Sequence, residues 1–401
     1  MNMKNTKSKN LLVIPNGFPH KNCPIAGTFV KVQVDSIAKY FNKVFVICPT
    51  PYMPAFISRF QSLPMTFRKA VNPIDYSYNN TSVYFPKFFM LPLNFSRKNA
   101  GENAYKAALK VISRENINFD IIHAHFTHYA GYVGAKLKEK YKKPVVLTVH
   151  ENRDWFLEEV SSKDKKLFYS WKSADMIIRV NNMDLKEFET VGIEKERLIC
   201  IPNAVADYFK PMKCASTRKR LGLPINKKIV LSVSALEVHK GHEYLIKAMK
   251  KVTEKRSDVL CIVVGSGSLM GELKGLIKNL KLTNYVKLVG EIPHDELPFW
   301  MDACDLFVLP SLSESFGVTQ IEAMACGKPI VATINGGSEG IIVNEKLGYL
   351  VEPKNSDDLA ENMLLALDKE WDKEYILNYV KKFKSDKIAK EIFKVYEKVM
   401  N

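Results

Sequence analysis

The chain reads as an α/β protein built from two Rossmann-like domains facing a central cleft. Three observations predict this. Short apolar runs alternate with helix-length amphipathic stretches along the 401 residues. That rhythm breaks once, at Pro202-Asn-Ala-Val-Ala-Asp-Tyr-Phe-Lys-Pro211, and then restarts. Glycines, histidines and carboxylates gather just after the apolar runs. Buried parallel strands alternating with covering helices give the first pattern. A chain of this length exceeds what a single core sustains, so two domains are the default.

In the first half the apolar runs predict strands at 11–15, 44–48, 121–125, 145–149, 176–180 and 199–201. Helices are expected near 28–41, 100–115, 130–140, 163–173 and 183–191, where apolar residues recur every three to four positions. The second half repeats the rhythm, with strands at 229–233, 260–264, 286–288, 306–309 and 329–332. Its helices are expected near 241–254, 269–280, 294–301, 317–326 and 356–368. A last helix spans roughly 384–399, with Ile388, Ile392, Phe393, Tyr396 and Val399 on one face. Domains are therefore expected at 1–205 and 206–383, with residues 384–401 returning to the first.

Composition is that of a folded protein, 46% hydrophobic and 25% charged. No apolar run approaches a membrane span, and the run at 11–14 is too short for a signal peptide, so a cytoplasmic protein is expected. The seven cysteines are odd in number and form no Cys-x-x-Cys pair, so reduced thiols are expected. The net charge is +16, and residues 1–100 hold thirteen Lys and Arg against only Asp35 and Asp75, a local net of +11. Between 52 and 98, Arg59, Arg68, Lys69, Lys87, Arg97 and Lys98 interleave with Phe56, Ile57, Phe60, Leu63, Met65, Phe67, Phe88, Phe89, Met90 and Phe95. That mixture suits an anionic membrane surface. It also suits single-stranded nucleic acid, or a basic domain whose aromatics are core.

The most informative segment is Pro310-Ser-Leu-Ser-Glu-Ser-Phe-Gly-Val-Thr-Gln-Ile-Glu322. An apolar strand runs into a polar turn and then a helix opening near Gly317. The free N–H groups and positive dipole end of a helix start suit a phosphate, and Glu314 and Glu322 can accept hydrogen bonds from sugar or ribose hydroxyls. Further polar residues stand where ligands of parallel sheets bind, beyond the carboxyl ends of strands. These are Gly17, Gly27, His123, His125, His150, Asn203, Lys240, Gly265 and Gly267. His123, His125 and His128 lack the Cys or Glu-flanked helical partners of a zinc site, so no metal is expected there.

With Asp120-Ile-Ile-His-Ala-His125, Thr148-Val-His150, Pro202-Asn203, Ser-Ala-Leu-Glu-Val-His-Lys240-Gly241, Val-Val-Gly-Ser-Gly267, Val289-Gly290 and Glu-Ser-Phe-Gly-Val-Thr-Gln-Ile-Glu322 in this order, nearly the whole chain resembles the retaining glycosyltransferases of family 4, of GT-B fold. The resemblance implies that the second domain binds a nucleotide-diphosphate sugar and the first its acceptor. Glu322 would hold the ribose, and Glu314 the transferred sugar. Ser315, Phe316, Gly317 and Val318 would border the diphosphate, and Lys240 would stabilise the leaving β-phosphate. His150 would lie near the anomeric centre. Gly27, Asn203, Gly265, Gly267 and Val289 complete the implied donor site. One position departs: where the family carries Gly-Arg, five residues before the lysine, this chain has Ser234-Ala235. At Ala235 a guanidinium contact to the diphosphate is lost, for which His239 or His242 is a candidate substitute.

No Asp-x-Asp occurs in the sequence, so a metal-independent reaction is expected, with no cofactor. The leading expectation is transfer onto a lipid-linked or cell-envelope glycan. The alternatives are a soluble sugar or sugar-phosphate acceptor, or a nucleotide-sugar-binding protein without activity. No helix-turn-helix, RNA-recognition or OB pattern supports a nucleic-acid partner.

The basic amino-terminal quarter generates a test. Each basic residue near an anionic surface adds about 1 kcal/mol. Binding to anionic liposomes should therefore fall as salt rises and vanish when Arg59, Arg68 and Lys69 become Glu. Equal co-sedimentation with neutral liposomes would remove the anionic membrane surface as a partner and favour a soluble acceptor.

Overall fold

The structure is a computed structural model that describes residues 6–52, 73–90 and 94–401. The chain divides into two compact units, residues 1–204 with 385–401, and residues 205–384. In the first unit the elements are β1 (Asn10–Ile14), α1 (Thr28–Ile37), β2 (Lys43–Ile47), β3 (Thr50–Tyr52), β4 (Tyr76–Tyr78), β5 (Thr81–Tyr84), β6 (Lys87–Phe89), α2 (Asn94–Arg114), β7 (Ile121–His125), α3 (Tyr132–Tyr141), β8 (Val145–Val149), α4 (Arg153–Ser162), α5 (Lys165–Ser173), β9 (Met176–Arg179), α6 (Leu185–Thr190) and β10 (Leu198–Cys200).

The main sheet of this unit has the order β10-β9-β8-β7-β1-β2-β5-β4, parallel except for the β4–β5 pair. Residues alternate across a strand, so β1 sends Leu12 and Ile14 into one apolar layer and Leu11 and Val13 into the other. The second layer is closed by α1 and by the last helix of the chain. There Ile388, Ile392, Phe393 and Tyr396 are buried with Val30, Val34 and Ile37, and the Phe393 ring lies 4.6 Å from that of Tyr40.

In the second unit follow α7 (Cys214–Arg220), β11 (Lys228–Val233), α8 (His242–Lys255), β12 (Val259–Val264), α9 (Met270–Asn279), β13 (Val286–Gly290), α10 (Leu297–Ala303), β14 (Leu306–Leu309), α11 (Val318–Ala325), β15 (Ile330–Thr333), β16 (Gly348–Val351), α12 (Ser356–Asp368) and α13 (Lys373–Val380). The last helix, α14 (Ser385–Met400), belongs to the first unit. The sheet order β13-β12-β11-β14-β15-β16 is wholly parallel. Strand order reverses beside β11 in this sheet and beside β1 in the first. In doubly wound sheets that reversal opens a crevice at the carboxyl ends, where ligands bind.

The structure departs from the sequence-based elements at several points. Helix α4 fills residues read as a loop: Asn152 caps it, its side chain accepting from the Trp155 N–H at 3.0 Å. Helices α7 and α13 and strands β4, β5 and β16 are additions, each too short for periodicity to register. The segment from 294 begins as a loop and turns helical only at Leu297.

Of the basic and aromatic stretch, Phe56, Ile57, Arg59, Phe60, Leu63, Met65, Phe67, Arg68 and Lys69 lie outside the described residues, as do the side chains of Phe95, Arg97 and Lys98. In the described part Phe88 and Met90 are core residues rather than surface ones, because strand alternation turns them inward and leaves Lys87 and Phe89 exposed. Among the described residues no helix is long and apolar enough to cross a membrane.

Candidate active site

In the second unit the loops after β11 and β14 meet at the strand-order reversal. Gly241, at φ 64°, lies so close to the second loop that a Cβ there would stand 2.0 Å from the Pro310 carbonyl oxygen, so only glycine permits the contact. The Leu312 N–H donates to the His239 carbonyl across the same seam. This brings Lys240 Nζ to 2.6 Å from Glu314 Oε1, which also accepts from Ser311 Oγ at 2.8 Å. Glu314 is anchored through its backbone, its N–H donating to the Asn335 carbonyl at 2.9 Å.

Gly317 caps α11 at φ 81°, a left-handed conformation that side chains disfavour. It turns the chain so that the first N–H groups of α11, which have no intrahelical acceptor, follow directly on Ser315 and Phe316. The Phe316 backbone is approached by Gly337, and its buried ring packs edge-on against Phe383 at 5.6 Å. Glu322 stands further along α11, buried, with Oε1 3.5 Å from His294 Nε2. His294 is held in turn by the Tyr208 hydroxyl, 2.8 Å from its Nδ1.

The remaining expected donor residues of this unit take varied places. Ala235 is exposed in the loop after β11. Gly265 and Gly267 pack against the backbone of Ser234 and Leu236, and Val289 is the last residue but one of β13. His242 does not replace the missing guanidinium. It is buried, its Nε2 lies 2.8 Å from Ser234 Oγ, and burial pushes its pKa down to about 4, so it is neutral near pH 7.

In the first unit three histidines line up across β7 and the end of β8. The His123 and His125 rings stack at 4.2 Å, and His125 Nδ1 lies 3.0 Å from His150 Nε2. His123 spends both ring nitrogens on protein groups, Nδ1 on the Tyr396 hydroxyl of α14 at 2.5 Å and Nε2 on Thr148 Oγ1 at 2.7 Å. Burial holds all three rings neutral: His125 falls to about 3, and His123 and His150 lie well below the usual range. Gly27 caps α1 in this unit, and Asn203 is buried one residue before its boundary.

Behind His150 lies a buried charged cluster that sequence reasoning missed. Arg179, fully buried, donates to the carbonyls of Val149 and Glu151 and forms an ion pair with Asp184 at 2.8 Å. It thus clamps the chain on both sides of His150. Removing one partner of such a buried pair costs about 3–5 kcal/mol. Glu151 accepts the Thr127 N–H at 2.6 Å, and Thr127 Oγ1 accepts from Trp171 Nε1 at 3.0 Å. These bonds hold the turn at Phe126, whose φ of 74° is strained for a residue with a side chain by about 1–3 kcal/mol. The available signal was a lone arginine ending the apolar run Met176-Ile-Ile-Arg179. In the second unit the loop Asn335 to Glu339 was likewise missed. There the Asn335 side chain accepts from Gly337 and Ser338, and Glu339 accepts from Asn335 and Gly336.

Comparison with known proteins places this arrangement. The profile of Glycosyltransferase Family 4 matches residues 35–207, and that of Glycosyl transferases group 1 matches residues 215–389. An uncharacterized glycosyltransferase of Methanocaldococcus jannaschii is 30% identical over 300 residues, 70% of this chain and 76% of its own. TuaC of Bacillus subtilis, a glycosyltransferase provisionally assigned to teichuronic acid biosynthesis, is 27% identical over 88% of this chain and 87% of its own. Among solved structures, sucrose-phosphate synthase from Thermosynechococcus elongatus superposes with a TM-score of 0.76 at 21% identity, covering 97% of this chain and 98% of its own. Anabaena HepE in complex with UDP-glucose superposes at 0.69 and 21% identity, covering 97% and 100%. The chain belongs to glycosyltransferase family 4, and its fold is GT-B.

Glu159, beside the Arg179 cluster, gives a pH-dependent stability. Burial, reinforced by the nearby Glu151 charge and opposed by Arg179, pushes its pKa up to about 9 from an ordinary value near 4.5. A raised carboxyl pKa means stability is fully present below the unfolded value and is lost as pH rises toward the folded one. The Glu159→Gln protein should therefore gain thermal stability relative to the parent between pH 4.5 and 9. A melting-temperature difference that stays constant across that range would show that Glu159 is ionised in the fold.

Proposed function

We propose that this chain transfers a sugar, with retention of configuration, from a nucleoside-diphosphate sugar to a glycan or lipid-linked acceptor of the cell envelope. The observation that carries the reading is the Lys240–Glu314 pair, set at a strand-order reversal one short turn before the start of α11. Residues 206–383 bind the donor and residues 1–205 the acceptor. Glu322 accepts hydrogen bonds from the ribose hydroxyls, displacing His294. The diphosphate approaches the N–H groups of Phe316, Gly317 and Val318. Lys240 exchanges Glu314 for the β-phosphate, and Glu314 is freed to hold the transferred sugar.

In the reaction the acceptor oxygen bonds to the anomeric carbon on the face from which the diphosphate leaves. The breaking bond's electron pair departs with the β-phosphate, whose oxygen takes the acceptor's proton. Negative charge builds on that phosphate in the transition state, where a compact ammonium and a helix terminus stabilise it. Because the chain has no Asp-x-Asp, these groups take the place of a metal.

The solved HepE complex with UDP-glucose supports a nucleotide-sugar donor, and the likeness to TuaC, of teichuronic acid biosynthesis, supports a glycan acceptor of the envelope. A second reading, a sugar or sugar-phosphate acceptor, is favoured by 30% identity over 287 residues to mannosylfructose-phosphate synthase of Agrobacterium fabrum.

Thermal-shift measurements with UDP-glucose, UDP-galactose, UDP-N-acetylglucosamine and GDP-mannose test the donor class, since a ligand bound only by the folded state raises its stability. No shift with any nucleotide sugar would defeat the reading. In Glu322→Ala, affinity for the nucleoside diphosphate should fall about tenfold or more, as hydrogen bonds to a charged acceptor contribute about 1.5–3 kcal/mol each; unchanged calorimetric affinity in the folded variant would remove Glu322 from the site. Lys240→Ala should lower turnover more than it raises the donor KM, because its contact strengthens in the transition state. Turnover equal to the parent's would show that another group serves, with His239 the next to be replaced.

A further inference from the structure

The turn that opens α11 carries the N–H groups assigned above to the diphosphate, and one of the contacts that shape it comes from the last residues of the second unit. Gly317 sits at the centre of the turn at φ 81°. Glycine loses more conformational freedom on ordering than any other residue, so a turn built on it keeps one shape only where its surroundings impose it. Three contacts do so at Phe316. Gly337 comes so near that a Cβ there would stand 2.7 Å from the Phe316 nitrogen, Gln320 Nε2 lies 3.4 Å from the Phe316 carbonyl oxygen, and the Phe316 ring packs edge-on against Phe383 with centroids 5.6 Å apart.

The first two leave slack. A separation of 3.4 Å is long for an N–H to carbonyl hydrogen bond, and Gly337 limits approach from one side without pulling the turn toward it. The ring pair is the strong attractive contact of the three, and both rings are buried. Phe383 is fixed on its own account. Its carbonyl accepts the Val205 N–H at 2.9 Å, and Val205 pairs with Lys384 as an isolated parallel bridge, so the segments that enter and leave the second unit are bonded together at this point. The Tyr379 ring meets that of Phe383 edge-on at 6.1 Å, and the Tyr379 hydroxyl donates to the Ile341 carbonyl at 2.7 Å. Lys382 lies over both rings, its Nζ 3.9 Å from the centroid of Tyr379 and 4.8 Å from that of Phe383. All of these residues belong to the second unit.

We propose that Phe383 is a positioning residue for the donor's diphosphate: its ring holds Phe316 and so keeps the N–H groups of Phe316, Gly317 and Val318 aimed before the donor binds. This rests on the reading that the start of α11 receives the diphosphate. A preformed turn spares the donor the cost of ordering it. Glu322, which the same reading gives to the ribose, stands on the body of α11 rather than in the turn. The effect of Phe383 therefore falls on the phosphates and not on the nucleoside.

Calorimetry on the full chain tests this, with the nucleoside diphosphate of the most stabilising donor and the matching nucleoside, UDP with uridine or GDP with guanosine. In Phe383→Leu the affinity for the diphosphate should fall about two- to tenfold, the worth of an aromatic pair, whereas that for the nucleoside should be unchanged. Phe316→Leu removes the same pair from the other side. It should show the same selective loss, and it carries the test if Phe383→Leu does not fold. The double variant should lose no more than either single one, because the two rings make one contact. Parental diphosphate affinity in the folded Leu variants would overturn the proposal. An equal loss of nucleoside affinity would overturn it too, since that marks a general loosening of the unit. A parent that binds neither nucleoside diphosphate would instead defeat the donor reading itself, and this inference with it.

Discussion

The two large sheets are covered on both faces, and this constraint governs where chemistry can stand. A strand buried on two sides tolerates polar side chains only where they satisfy one another. Charged and hydrogen-bonding residues are therefore displaced to the carboxyl ends of strands, into the loops that carry Lys240 and Glu314 in one unit and His150 in the other. Where polar residues do enter a strand, they bond mostly to one another: His123 holds Thr148 and the Tyr396 hydroxyl of α14, and His125 holds His150 at the strand end.

The two units answer the constraint differently. In the second, a narrow backbone seam at Gly241 brings two loops close enough for a lysine and a glutamate from distant parts of the chain to pair. The pairing leaves both charges compensated within the fold. In the first, the fixed charge is the fully buried Arg179, and the ring it holds through the backbone, His150 at the end of β8, is buried and neutral. An imidazole buried near a guanidinium stays uncharged near pH 7.

The loss of the family's arginine at Ala235 is not repaired by the nearest histidine. His242 lies inside the fold and is bonded to Ser234, so burial removes its charge. Lys240 and the start of α11 thus remain as the positive features of that loop pair, and the Asn335 to Glu339 loop supports them through the backbone of Glu314 and Phe316.

The sequence by itself determined the class of fold and most of its strands, because buried parallel strands are continuous apolar runs that local composition reveals: 121–125, 145–149 and 306–309 match the observed strands end to end. It also marked Glu314, Glu322, Lys240 and His150 through their places after those runs. Only the tertiary structure decided which of them meet. Lys240 and Glu314 are 74 residues apart and come together through strand order, whereas Glu322, eight residues from Glu314, faces His294 instead. The Arg179 cluster, the contact between His125 and His150 and the neutrality of His242 were likewise invisible. Each depends on burial and on partners brought in by other strands, and a side chain's charge state follows from that surrounding rather than from its neighbours in sequence.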